Sequence, residues 1–155
     1  MPIEFLDLLD DGGWEPLVPN ARNPGSTWSD GGLLADAPVD LAATFDGAAW
    51  RATGIDPSFG LNGVRLRGGF TVPRHHHSSA LLLLVFDGAL TVAADDGAEV
   101  LGPGEYCVIE EGTAHRLTAG AEGATYLWSW PQEAAAIATC WYPDPAWART
   151  EAPAR

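Results

Sequence analysis

The sequence predicts an all-β fold, an antiparallel barrel or sandwich preceded by an N-terminal arm. Three observations carry this. The chain has 155 residues, one domain's worth. Its 18 glycines and 12 prolines interrupt it more often than a helical bundle tolerates. From residue 50 onward, short apolar runs alternate with turn signals at a spacing of about 8–12 residues, as in sandwiches and barrels.

The elements follow in order. Residues 1–49 read as an arm with one or two short strands, broken by Asp-Gly-Gly and Asn-Pro-Gly clusters at 11–13, 23–25 and 30–32. The acidic stretch Glu4 to Asp11 fits a helix of roughly two turns. Residues 50–142 read as the barrel. Its β-like runs are Gly63–Val72, Ser79–Phe86, Ala89–Ala94, Glu99–Leu101, Tyr106–Ile109, His115–Thr118, Thr125–Trp130 and Ala136–Trp141. Asp87-Gly88 lies between two apolar runs and predicts a hairpin turn, since Asp-Gly permits the positive φ such turns need. Asp96-Gly97 and Gly102-Pro103-Gly104 predict further turns. Residues 143–155 form a Pro/Ala-rich tail.

Leu81 to Phe86 is apolar at every position, so both faces of that strand should be covered. One face meets the barrel lumen; the other meets a second sheet or a partner subunit. This is the sequence's argument for a homodimer.

Composition excludes several functions. Hydrophobic residues make up 46% and charged residues 19%, which supports a packed core rather than disorder. A formal net charge of −13 repels phosphate backbones and anionic lipid heads, against nucleic-acid or membrane partners. All eight basic residues are arginine; without lysine there is no Schiff-base chemistry and no P-loop. Two cysteines, Cys107 and Cys140, make no disulfide framework and read as small core residues. No segment reads as a signal peptide or a membrane span, so a cytoplasmic protein is expected.

Chemistry concentrates in four histidines. Three are contiguous, His75-His76-His77, and the fourth is His115. On a strand, His75 and His77 share a face and His76 points away. Two imidazoles on one face, joined by a third from another strand, can form one side of a metal's coordination shell.

The residues around them resemble the two motifs of the cupin superfamily. Gly69-Phe-Thr-Val-Pro-Arg-His75-His-His77, followed by positions 81 and 88, resembles the first. Gly104-Glu-Tyr-Cys-Val-Ile-Glu110-Glu-Gly112-Thr-Ala-His115 resembles the second. The resemblance implies a jelly-roll antiparallel β-barrel with a divalent metal inside it on His75, His77 and His115. Three departures stand out: Leu81 replaces the glutamate ligand, Glu110 a turn proline, and Ala119 an asparagine. The ligand set that remains is three histidines, with Leu81 as an apolar wall.

Three neutral imidazoles leave a divalent ion its full charge, which favours a substrate that is anionic or ionises on binding. The set is similar to that of acetylacetone-cleaving and dihydroxyacetophenone-cleaving dioxygenases. The resemblance therefore implies iron(II), with zinc, manganese or nickel also compatible, and dioxygen cleavage of a C–C bond in a small ketone or β-diketone. Two alternatives remain: a non-oxidative isomerase, cyclase or lyase of a small carbonyl compound, or a non-catalytic small-molecule binder. Strand parity nominates Arg65, Arg67 and Thr71 on the histidine face, Arg67 and Tyr106 as catalytic groups, and Leu81, Leu83, Trp128 and Trp130 as pocket lining. Glu110 and Glu111 fall in an exposed turn.

Overall fold

The computed structural model describes residues 7–17, 43–55, 59–132, 137 and 139–142. Within them lie nine strands: β1 (Trp14–Pro16), β2 (Ala49–Ala52), β3 (Leu61–Leu66), β4 (Thr71–His77), β5 (Leu81–Ala94), β6 (Gly97–Leu101), β7 (Tyr106–Ile109), β8 (His115–Ser129) and β9 (Thr139–Trp141). Every pairing is antiparallel. The all-β expectation holds. No helix among the described residues is long and apolar enough to cross a membrane.

Two long strands organise the sheet. β5 and β8 pair along most of their length, from Leu82↔Ser129 to Ala94↔His115. Both bend midway, which divides the sheet into two wings. In the first, β7, the first half of β5, the second half of β8, β3, β2 and β1 lie side by side. In the second, β6, the rest of β5, the first half of β8, β4 and β9 do so.

The bend corrects the reading of Asp87-Gly88. It is not a hairpin turn but a double irregularity inside β5, with register shifts at Val85/Asp87 and Gly88/Leu90. Gly88 has φ +74°, and a Cβ there would lie 2.1 Å from the Gly123 carbonyl oxygen of β8. Gly123 has φ +88°. Two glycines facing each other let the strands bend together without losing their partner, the work of a β-bulge. The runs predicted as separate strands on either side of each bend are therefore single strands. The run predicted as Gly63–Val72 divides the other way: a turn at Arg67–Phe70, closed by the Phe70 N–H donating to the Arg67 carbonyl at 3.0 Å, separates β3 from β4.

The core lies between the wings. Val64, Leu66, Leu83 and Tyr126 from the first meet Val72, Leu90, Leu101 and Leu117 from the second. Phe45 packs edge-on against Phe70 at 5.2 Å and Trp141 at 5.9 Å between ring centres. On β5 the inward residues Leu81, Leu83 and Val85 are buried. The outward Leu82 and Leu84 are only half-buried and Phe86 is exposed. Tyr106 and Val108 of β7, opposite Leu84 and Leu82, are exposed too. The N-terminal residues cover the other end of this outer face: a Cβ on Gly63 would lie 2.7 Å from Leu8 Cδ2.

Candidate metal centre

Local sequence places the three histidines. β4 turns His75 and His77 inward and His76 outward, where its Nδ1 meets the Tyr142 hydroxyl at 2.8 Å. His115 opens β8 directly opposite His75. Pro73 stands in a register irregularity between Val72 and His75, a place where its missing N–H costs no ladder bond.

The inward histidines converge. Their ligand atoms all lie within 4.8 Å of one another. Ring centres are 4.3 Å apart for His75 and His115, 4.8 Å for His75 and His77, and 5.4 Å for His77 and His115. Nitrogens bound at about 2.1 Å to one ion lie at most about 4.2 Å apart, so small ring rotations complete the site.

Hydrogen bonds set the tautomers. His75 Nδ1 donates to the Pro73 carbonyl at 2.6 Å and His115 Nδ1 to the Thr113 carbonyl at 2.8 Å. A carbonyl only accepts, so in both rings the Nδ1 carries the proton and the Nε2 the lone pair. His77 Nδ1 meets the Thr139 hydroxyl at 2.8 Å. Outer partners of this kind orient metal-binding imidazoles. His115 Nε2 is buried with no hydrogen-bond partner, a polar atom that a bound metal would satisfy.

Burial keeps the rings neutral. Desolvation pushes His75 well below the usual histidine range, and the neighbouring His115 and His77 push it further. His77 is lowered well below that range by desolvation, then by His115. His115 is lowered mainly by desolvation. Neutral imidazole is the form that binds metal.

Two compartments meet at this cluster. The inner one, a void of about 30 Å³, has room for roughly two waters. His75, His77, Leu81, Leu83, Trp128 and Trp130 are among its walls. The second, a mouth of about 480 Å³, is lined by His115, Val92, Glu99, Cys107, Glu110 and Thr113 with others.

Other nominated residues lie elsewhere. Arg65 bonds Asp11 Oδ1 at 3.2 Å and stacks over the Trp14 ring at 4.3 Å. Arg67 is exposed in the β3–β4 turn. Thr71 is buried against the Thr118 hydroxyl at 3.0 Å, outside both compartments. Tyr106 is 64% exposed on the outer face of β7. The parity argument assumed one regular strand from 65 to 77. The turn after Leu66 and the irregularity before His75 each reset the alternation, which corrects the placement of Arg65, Arg67 and Thr71. Tyr106 faces outward with Leu84, so its catalytic assignment is corrected as well. Sequence reasoning missed Thr139; its signal would have been the pairing of β9 with β4, which no local pattern displays.

A curled antiparallel sheet holding histidines on its inner face defines a cupin-type fold. Residues 64–130, from β3 to just past β8, match the Cupin domain family (Cupin_2). No curated protein matches the chain. Among solved structures, the chain is similar to a sugar phosphate isomerase from a cupin superfamily of Silicibacter pomeroyi. The two are 26% identical with a TM-score of 0.51, over 68% of this chain and 67% of that one. It also resembles a cupin-2 domain containing protein from Shewanella frigidimarina, 23% identical with a TM-score of 0.43, over 49% of this chain and 72% of that one. A third likeness is to an oxalate oxidase in complex with the substrate analogue glycolate, 26% identical with a TM-score of 0.44, over 50% and 43% of the two chains.

Proposed function

We propose that this protein is a metal-dependent enzyme that cleaves a C–C bond of a small ketone or β-diketone with dioxygen, with iron(II) held by His75, His77 and His115. The observation that carries the reading is the composition of the cluster: three neutral buried imidazoles and, among the described residues, no carboxylate. Iron(II) so held would supply Lewis acidity and one-electron chemistry toward dioxygen. The chain's own contribution is orientation. The Pro73 and Thr113 carbonyls and the Thr139 hydroxyl fix the rings. Leu81, Leu83 and Trp128 give the inner side an apolar wall.

For pentane-2,4-dione the balanced reaction consumes one dioxygen and gives acetic acid and methylglyoxal. The test is anaerobic loading with iron(II), addition of the dione, then admission of oxygen. A new visible absorption band and one dioxygen consumed per dione support the reading. No band and no uptake with any diketone or phenolic ketone would sink it.

The likeness to a sugar phosphate isomerase favours a second reading, non-oxidative isomerisation of a small carbonyl compound. Product formation that is equal with and without oxygen would select it. The reading also includes a homodimer through the outer row Leu82, Leu84, Phe86, Tyr106 and Val108, which places no like charges in direct contact between two chains that each carry −13. Light scattering should then give twice the chain mass of 16.4 kDa.

A further inference from the structure

We infer that the Trp130 indole N–H and the Tyr126 hydroxyl are hydrogen-bond donors for the oxygens of a ligand on the histidine centre, and that they select an enolate or a carboxylate. The inference rests on the metal-enzyme reading above and deepens it. Strand alternation brings both groups to the inner side. Tyr126 lies on the inward row of β8, and Trp130 continues that alternation one residue past its end. Both wall the inner compartment together with His75 and His77. They are 4% and 8% exposed. The Trp130 ring stands edge-on to His77, with 4.7 Å between ring centres.

Both polar heads are unspent. Trp130 Nε1 is buried with no hydrogen-bond partner, and no described residue bonds the Tyr126 hydroxyl. A buried donor without an acceptor destabilises the fold, so such groups mark a place where a ligand supplies the acceptor. Burial raises the Tyr126 phenol above its usual range, so the hydroxyl keeps its proton and donates. The other walls decide what can answer these donors. Leu81, Leu83 and Ile137 offer no acceptor, and the Thr139 hydroxyl is engaged with His77. The void of about 30 Å³ has room for roughly two waters, and so for the two oxygens of one ligand. An enolate or carboxylate accepts at both oxygens and brings the negative charge that a divalent ion attracts. An ammonium group would bring donors to donors and positive charge to the ion.

The test uses the full chain loaded with cobalt(II), whose visible spectrum responds when a ligand joins its coordination. The probe is formate, the smallest carboxylate. Tyr126→Phe and Trp130→Phe each remove one donor and keep an aromatic ring. Each weakens formate binding about tenfold or more. Cobalt content stays at the wild-type level, because neither group is a metal ligand. Formate bound as tightly by either variant as by wild type overturns the inference and leaves the metal-enzyme reading intact. So does a cobalt-loaded wild type that gives no response to formate. A wild type that takes up no cobalt overturns the metal-enzyme reading instead.

A second measurement needs neither metal nor ligand. A hydroxyl reserved for a ligand gives the fold nothing, so metal-free Tyr126→Phe protein melts at or above the wild-type temperature. A melting temperature lower by about 2 °C or more means that the hydroxyl already bonds the protein, and the inference falls.

Discussion

The two compartments beside the histidines differ in almost every property. The inner one is small, and aromatic and branched apolar side chains make up most of its walls. The mouth is wide, with carboxylates on its rim and a thiol on its wall. Yet both are built by the same concave face of one sheet. Leu81 and Leu83 of β5 face the void; Val92 and Ala94 of the same strand face the mouth. The bulge pair Gly88/Gly123 lies between them. The difference shows that one bent sheet can pack closely around its histidines on one side and leave a groove unfilled on the other, with all three histidines buried. Close packing fixes the rings on the inner side; the groove lies on the wing where packing stops.

The comparison can be broken experimentally. The largest effect should come from the shared element. His75→Ala or His115→Ala should remove metal altogether, taking content by elemental analysis from about one equivalent to background and activity with it. Retention of metal in either variant would remove the shared centre. Next, Leu83→Ala should cost about 2–5 kcal/mol of stability by chemical denaturation, because it opens a cavity in a closed core. Glu99→Gln in the mouth should stay within about 0.5 kcal/mol. Equal costs would mean that the two sides are packed alike.

Thr139→Val tests the outer support on the inner side. Metal affinity should fall about 10–100-fold by competition with a chelator, with the fold retained. Thr113 offers a contrast, since its backbone carbonyl holds His115 and survives substitution: Thr113→Ala should leave affinity nearly unchanged.

A smaller effect concerns pH. The three histidines have folded-state values lowered by desolvation, so below the unfolded value near 6.5 the unfolded chain takes up protons that the folded metal-free chain does not. Metal-free stability should therefore be fully present above about pH 6.5 and fall as pH drops, by at most about 1.4 kcal/mol per pH unit for each histidine. Thermal melts of wild type against His115→Gln should show the loss shrinking in the variant. The same slope in both would assign the acid sensitivity to carboxylates elsewhere.

Much of the site was legible because strand alternation is local. His75 and His77 fall on one face whatever the rest of the chain does, and the motif spacing added His115. Leu81 was legible as an apolar wall for the same reason. Arg65 and Arg67 were not: Arg65 belongs to β3, which ends before the turn, Arg67 lies in that turn, and the irregularity before His75 shifts the alternation again, so no single period of two links them to His75. Asp87-Gly88 shows the limit of local signals. The dipeptide supplies a positive φ at the glycine, and that conformation serves a hairpin or a bulge equally well. What selected the bulge was β8 running unbroken opposite both halves of β5.

The sequence by itself determined the all-β class, the pair of histidines on β4, the absence of lysine and the strongly negative charge. Each is composition or a period of two, properties carried within a few residues. Tertiary structure alone decided that His75 and His115 stand opposite each other, that Thr139 reaches His77, and that all three inward histidines are buried together. Those facts depend on register between strands tens of residues apart. Register is set by which bulges and glycines the partner strand accommodates, and no single strand encodes its partner.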